Sequence, residues 1–318
     1  MKKNVICSIK KLSVDFPIRD GVFQHIVGTV KAVDEVSLEI YKGEIFGLVG
    51  ESGCGKTTLG RALVHLTKPT GGEIIYNEKN LLGKENIGKQ EVFNKVQMIF
   101  QNSKASLNPR QTIGKMLEEV LSIRMNVKKN EMGDRIQKLL ALVGLSLETV
   151  TRFPHELSGG QCQRAAIARA IALKPSFLVC DEVVSALDMS IQSQILNLLV
   201  DLKEEEDLTY FFVSHDLQVV NYLCDRVAVM YLGRIVEISN NEELFENPLH
   251  PYTKALLDSA LSLEEDVEIL QGEVPIENEV SQGCRFYERC PMANSRCKME
   301  EPQLKEYGNG HKVACHFV

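Results

Sequence analysis

The sequence predicts an α/β protein built on a mostly parallel sheet covered by helices, and three observations lead there. Short apolar runs alternate with amphipathic segments along much of the 318 residues, which is the rhythm of strand–helix–strand units. Gly50-Glu51-Ser52-Gly53-Cys54-Gly55-Lys56-Thr57-Thr58 fits G-x-x-x-x-G-K-[ST] between a strand-like and a helix-like stretch, the setting a phosphate-binding loop requires. Phe177-Leu178-Val179-Cys180-Asp181-Glu182 is an apolar run ending in two carboxylates, and α/β sheets bind ligands at the carboxyl ends of their strands.

In chain order, Ile6–Phe16 reads as a strand, Pro17 to about Thr29 as a loop, and Val30–Ile40 and Glu44–Val49 as strands. Val36, Leu38 and Ile40 alternate with Ser37 and Glu39, the period of a half-buried strand. Thr57–Leu66 can form a helix, ended by Lys68-Pro69 and Gly71-Gly72, before a strand at Gly72–Tyr76 and a polar stretch to Gln90. Val96–Phe100 is another buried strand. Residues 103–156 then change character: Ile113–Ile123 and Gly133–Val143 are amphipathic, with Gly144 as C-cap, and read as a helical insertion. The α/β rhythm resumes with helix Gly160–Leu173, strand Phe177–Cys180, helix Ile191–Glu205, strand Tyr210–Val213 and helix Leu217–Leu223. Val227–Tyr231 and Gly233–Ile238 suggest a hairpin turning at Leu232–Gly233, followed by helix Thr253–Leu261. Residues 262–280 are acidic and weakly apolar and read as a linker to a cysteine-rich tail. The expected division is therefore a nucleotide-binding domain over 1–261, with a helical subdomain at about 103–160, and a linker with a small C-terminal domain over 262–318.

Composition excludes several classes of function. Apolar content of 44% and charged content of 25% are those of an ordinary globular chain. No segment approaches the 18 or so uninterrupted apolar residues of a bilayer span. The basic N-terminus lacks a long apolar core and a cleavage site, so it does not read as a signal peptide. A net charge of −7 and a pI near 5.6 oppose nucleic-acid binding and a polybasic membrane anchor. Any membrane association is expected to run through a protein partner.

The loop at Gly50–Thr58 would turn its amides and a helix N-terminus toward one anion. Lys56 would reach the β- and γ-phosphates, and the Thr57 hydroxyl would hold Mg²⁺. At the second strand end, Asp181 would hold Mg²⁺ through water. Glu182 is placed to polarise an attacking water, a general-base role worth roughly 10²–10⁴ in rate. Leu157-Ser158-Gly159-Gly160-Gln161 offers a second anion site: Ser158 is a good N-cap, and two glycines behind it leave helix amides open to close approach. One nucleotide needs only one phosphate loop, so a second phosphate-contacting helix implies a second molecule.

Phosphate loop, Gln101 after a strand, LSGGQ, FLVCDE, Ser185–Asp188 and His215 after a strand occur in the order and spacing of an ABC-transporter ATPase subunit, which residues 5–260 resemble. The resemblance implies a P-loop ABC ATPase core: a RecA-like parallel sheet with an antiparallel β subdomain and a helical subdomain. It implies ATP and Mg²⁺ as cofactors and a head-to-tail dimer with a second, homologous or identical ATPase subunit. In that dimer Ser158, Gly159, Gly160 and Gln161 would contact the partner's ATP, Asp188 would lie at the interface, and His215 would contact the γ-phosphate. Gln101 would sense Mg²⁺ and the attacking water. Phe16–Phe23, Ser106–Arg110, Asn247–Thr253 and the tail are similar to oligopeptide and dipeptide importer ATPases. Their partners are two transmembrane permease subunits and an extracytoplasmic substrate-binding protein, and their place is the cytoplasmic face of the membrane. An aromatic near Phe16 would stack on adenine, a buried core phenylalanine being the alternative. Val183 stands where the family usually has proline, so a less stiff loop is expected, with activity kept. A nickel or metal-chelate importer would share every one of these motifs, and a soluble ABC ATPase is the more distant alternative.

Four of the nine cysteines, Cys284, Cys290, Cys297 and Cys315, fall in the last 35 residues, with gaps of five, six and seventeen residues. The others, Cys7, Cys54, Cys162, Cys180 and Cys224, read as small buried apolar residues. A tail too short for its own core usually needs a staple. Paired C-x₂₋₄-C spacings for zinc are absent. Four irregularly spaced thiolates suit a 4Fe–4S cluster better, with zinc, helped by His311 or His316, and an unliganded tail as alternatives. Some peptide-importer ATPases that the tail resembles carry such a cluster.

Overall fold

A computed structural model describes residues 4–20, 25–82, 89–261, 282–308 and 310–318. The expected linker at 262–280 lies outside the described residues. By its internal contacts the chain forms two compact units, Met1–Leu82 with Val213–Val318, and Gly83–Phe212.

In the first unit, strand Ile45–Val49 is buried at every position, as its uninterrupted apolar run requires of a parallel strand covered on both faces. It pairs in parallel with Arg226–Tyr231, Phe46 facing Arg226 and Val49 facing Val229. Arg226–Tyr231 and Arg234–Asn240 form the expected antiparallel hairpin. Its turn has positive φ at both Leu232 and Gly233, 41° and 80°, the backbone that matches strand twist in a two-residue turn. A separate antiparallel sheet has the order His25–Tyr41, Val5–Asp20, Gly71–Tyr76, Lys79–Asn80.

The loop expected from Pro17 to Thr29 is instead paired strand. Phe16 faces Val30, Pro17 faces Thr29 and Asp20 faces His25, which leaves only 21–24 between the two strands. The pairing leaves no burial pattern to read: Ile26 and Val27 are 64% and 61% exposed, so hydropathy does not alternate. Pro17 is tolerated because pairing to Gly71–Tyr76 ends at Ser13, and beyond it the strand has one partner and one open edge.

The C-terminal residues join the first unit through its sheet. Lys312–Val313 adds to Arg234–Asn240, with Val313 opposite Glu237 and Lys312 opposite Ile238. Phe286 is buried among Tyr231, Tyr252 and His250, with ring centroids 5.3, 5.5 and 5.8 Å away. Beside this cluster the carboxylate of Glu237 is fully enclosed. It accepts from the backbone N–H of Leu249 at 2.7 Å and of His250 at 3.0 Å, and His311 Nε2 lies 2.7 Å away. Arg285 reaches the Asp34 carboxylate and the Leu232 carbonyl.

In the second unit, Val96–Ile99 runs parallel to Phe177–Asp181, Val96 facing Phe177 and Ile99 facing Cys180, with Thr209–Val213 on the other side of the latter. Helices Ile113–Met125 and Met132–Leu142 form the expected insertion. Thr112 caps the first by accepting from Lys115 N–H. Gly144, with φ 68°, follows the second. A helix at Lys89–Lys95 was not expected from its polar sequence.

Two buried groups make the first unit acid-sensitive. Burial pushes the His250 imidazole down to about 4. Burial raises the Glu237 carboxyl, but the hydrogen bonds from His311, Leu249 and His250 outweigh it and hold it below the ordinary carboxylate range. Both groups bind protons more readily unfolded: the His250 contribution is complete above the unfolded histidine pKa near 6.5 and is lost as pH falls toward about 4, whereas that of Glu237 is lost only below the ordinary carboxyl value of 4.5. Thermal melting from pH 7.5 to 4.5 is expected to show the steepest loss in that window, with His250 alone worth on the order of 3 kcal/mol.

Candidate functional site

Each unit carries its own group of the residues that the sequence singles out. In the first, the chain leaves strand Ile45–Val49 and turns through Gly50, Gly53 and Gly55, all with positive φ, into helix Lys56–Leu63. A Cβ on Gly50 would overlap the carbonyl oxygen of Met230, and one on Gly55 that of Ala32. No side chain caps the helix, and the positive field of its N-terminus faces the loop. The Lys56 ammonium is buried and donates to the carbonyls of Gly50 and Glu51 at 2.7 and 2.8 Å. Cys54 is buried beside it, and burial raises its thiol, a rise that Lys56 partly offsets. Ser52 and Gly53 are exposed, and Thr57 and Thr58 half-buried.

His215 belongs to the same unit. It is exposed, one residue after Ser214, whose N–H donates to Leu48 O at 3.2 Å and so ties it to the strand that feeds the loop. Phe16 is 44% exposed on its strand, which removes the core alternative for its ring. Sequence reasoning missed Tyr252 and Arg289. The Tyr252 hydroxyl accepts from Glu51 N–H at 2.8 Å, and Arg289 grips the Glu51 carboxylate with two bonds of 2.8 Å. An aromatic after His250–Pro251 was visible in sequence, but nothing local distinguishes Arg289 from a surface arginine.

In the second unit, Asp181 is buried at the end of its strand, 1% exposed. Glu182 follows with φ 47°, a left-handed conformation that costs a non-glycine residue of order 1 kcal/mol and tends to be kept at working sites. Its Oε2 accepts from Gln101 Nε2 at 2.6 Å, so the two residues expected to handle water and Mg²⁺ meet across neighbouring strand ends. Val183 and Val184, the next two residues, are buried.

Ser158 caps helix Gly159–Ile171 reciprocally: its hydroxyl accepts from Gln161 N–H at 3.3 Å, and Gln161 Oε1 accepts from Ser158 N–H at 3.0 Å. The two glycines differ. A Cβ on Gly159 would meet Leu187 at an ordinary 3.5 Å, whereas one on Gly160 would stand 2.7 Å from Ile191 Cγ2. Gly160 is thus needed for packing on helix Met189–Glu205, and the exposed Gly159 alone keeps the helix end open. Asp188 caps that neighbouring helix through Ile191 N–H at 3.0 Å and the Ser190 hydroxyl at 2.7 Å, and these bonds, that from Ser190 first, lower its carboxyl.

Residues 33–185 match the family model described as ABC transporter, and 236–297 match that of the oligopeptide/dipeptide transporter C-terminal region. The chain is 46% identical to the oligopeptide transport ATP-binding protein AppF of Bacillus subtilis, covering 99% of this chain and 98% of that one. The chain belongs to the oligopeptide ABC-transporter ATP-binding family. It is 44% identical to OppF of Salmonella typhimurium over 99% and 96% of the two chains. An ABC cassette, MJ0796, solved as a dimer in a post-hydrolysis state bound to ADP and Pi, superposes with a TM-score of 0.65 at 27% identity, covering 74% of this chain and 98% of that one. The fold is accordingly that of a P-loop ABC ATPase. Among the described residues no helix is long and apolar enough to cross a membrane.

The 4Fe–4S cluster expected in this member's tail, and the zinc alternative, are not supported. Among the described residues no three His, Cys, Asp or Glu side chains form a group that could hold a metal ion. Burial, then the neighbouring thiols, push Cys284 up to about 11. Burial likewise raises Cys290 and Cys315. The arginines beside them, Arg285 and Arg289, are engaged by Asp34 and Glu51. The five scattered cysteines are buried, as expected.

The unequal glycines yield a test. Gly160→Ala is expected to destabilise the protein by about 1–3 kcal/mol through overpacking on Ile191. Gly159→Ala should melt close to wild type, and calorimetry on both variants distinguishes a packing glycine from an open one.

Proposed function

We propose that the chain is the ATP-binding and ATP-hydrolysing subunit that energises import of oligopeptides or dipeptides through a membrane ABC transporter. The observation that carries this reading is its similarity, end to end and including 236–297, to oligopeptide transport ATP-binding proteins. Gly50–Thr58 binds the phosphates, with Lys56 exchanging its bonds to loop carbonyls for bonds to the β- and γ-phosphates. Thr57, Asp181 and Gln101 hold or sense Mg²⁺, and Phe16 stacks on adenine. Glu182 polarises the attacking water, its carboxylate oriented by the Gln101 amide. His215 contacts the γ-phosphate.

Ser158, Gly159, Gly160 and Gln161 complete the site of a second ATPase subunit, with Asp188 at the interface. The dimeric state of the solved cassette supports this arrangement. Two membrane permease subunits and an extracytoplasmic substrate-binding protein complete the transporter, and the ATPase sits peripherally on the cytoplasmic face. The helical segment at about 103–160 is the part of the 1–261 nucleotide-binding domain that meets the permeases.

Lys56→Ala is expected to abolish nucleotide binding. In the assembled transporter, Glu182→Gln is expected to keep binding and lose roughly 10²–10⁴ in hydrolysis rate. Hydrolysis at the normal rate by Glu182→Gln would show that the base lies elsewhere. Phe16→Ala should weaken ATP binding by roughly 1–3 kcal/mol of lost stacking, measured by titration with a fluorescent ATP analogue, and unchanged affinity would remove Phe16 from the site.

A further inference from the structure

The phosphate loop contains a carboxylate of its own. Glu51 is the second residue of the loop, and a triphosphate bound there would face a like charge. That charge is felt inside the loop: it is among the groups that raise the Cys54 thiol, after burial. Glu51 is nevertheless firmly gripped. Both carboxylate oxygens accept from Arg289 at 2.8 Å, and its N–H donates to the Tyr252 hydroxyl at 2.8 Å. Arg289 also reaches the Tyr231 hydroxyl at 3.3 Å and stands 5.8 Å over that ring. The arginine side chain is 5% and the glutamate side chain 23% exposed, so the pair is largely withdrawn from solvent screening and is joined by two parallel N–H···O bonds.

Arg289 comes from the C-terminal tail, 238 residues along the chain from Glu51. The tail is held where the pair needs it. Phe286 fills the space among Tyr231, Tyr252 and His250, and Arg285 reaches Asp34 and the Leu232 carbonyl. Tyr231 and Tyr252, which contact Arg289 and Glu51, pack on each other with centroids 4.6 Å apart.

We infer that Arg289 is a positioning residue for the ATP site, neutralising Glu51 and holding the first turn of the phosphate loop in its phosphate-accepting shape. The tail thereby sets ATP affinity without touching ATP. This rests on reading Gly50–Thr58 as the ATP site, and the controls separate the two claims.

The test is titration of the full-length protein with a fluorescent Mg·ATP analogue. Arg289→Gln is expected to weaken binding about tenfold, since an unpaired Glu51 then faces the phosphates, which corresponds to about 1.4 kcal/mol. Removing the offending charge as well, in Glu51→Gln/Arg289→Gln, should recover affinity to within about threefold of wild type. Tail docking alone predicts no such recovery. Arg289→Lys keeps the charge, loses the fork and should fall between, so it carries the test if Arg289→Gln folds poorly. Wild-type affinity in Arg289→Gln, or a double variant no tighter than Arg289→Gln, would overturn the inference while Lys56→Ala remains inactive in binding. Wild-type binding by Lys56→Ala would overturn the loop assignment and this inference with it.

Discussion

Backbone crowding around the phosphate loop is the constraint on which the rest depends. Gly50 and Gly55 lie so close to the carbonyls of Met230 and Ala32 that neither position has room for a side chain. The loop is thereby wedged against the strand Arg226–Tyr231 and the strand His25–Tyr41, and its shape is set by the first unit. Lys56 finishes the arrangement by covering the carbonyls of Gly50 and Glu51. A phosphate arriving there would meet a cradle already formed, with only the lysine to exchange partners. Such preorganisation spares the ordering cost that a flexible loop would add to binding.

The tail shows how a segment too small for a core can still be ordered. It borrows one: Phe286 enters an aromatic cluster, Val313 extends the core sheet, and His311 meets a carboxylate with no solvent exposure. Four cysteines in a short tail suggest a metal staple, but among the described residues no group that could hold a metal ion is formed. Polar anchors hold the segment. Each places a charge against a partner from the body of the unit, where desolvation makes an unpaired charge costly and a paired one specific.

Local conformations were legible in the residues that adopt them. The phosphate loop, the Ser158 cap, the Leu232–Gly233 turn and helix Leu217–Leu223 depend on interactions within a few positions, and the structure has each of them. Fully buried strands such as Phe177–Asp181 were legible as apolar runs. The paired strands through Pro17 and Thr29 were not, because neither side is buried and no alternation marks them. Helix Lys89–Lys95 was missed for a related reason, being a polar stretch without a period to recognise. The two glycines behind Ser158 looked equivalent, and only Ile191, on the neighbouring helix, makes one a packing residue and leaves the other open.

The sequence by itself pointed to Gly50–Thr58 as an anion-binding loop, because the glycines, lysine and helix start that make such a site are contiguous. It likewise determined that Asp181 and Glu182 stand at a strand end. Tertiary structure alone decided that Gln101 donates to Glu182, that Tyr252 holds the Glu51 amide, and that the tail's Arg289 faces the Glu51 carboxylate. A loop's conformation is encoded by its neighbours in sequence, whereas the partner of a buried charge is chosen by which distant strand ends and turns the folded sheet brings within 3 Å or so.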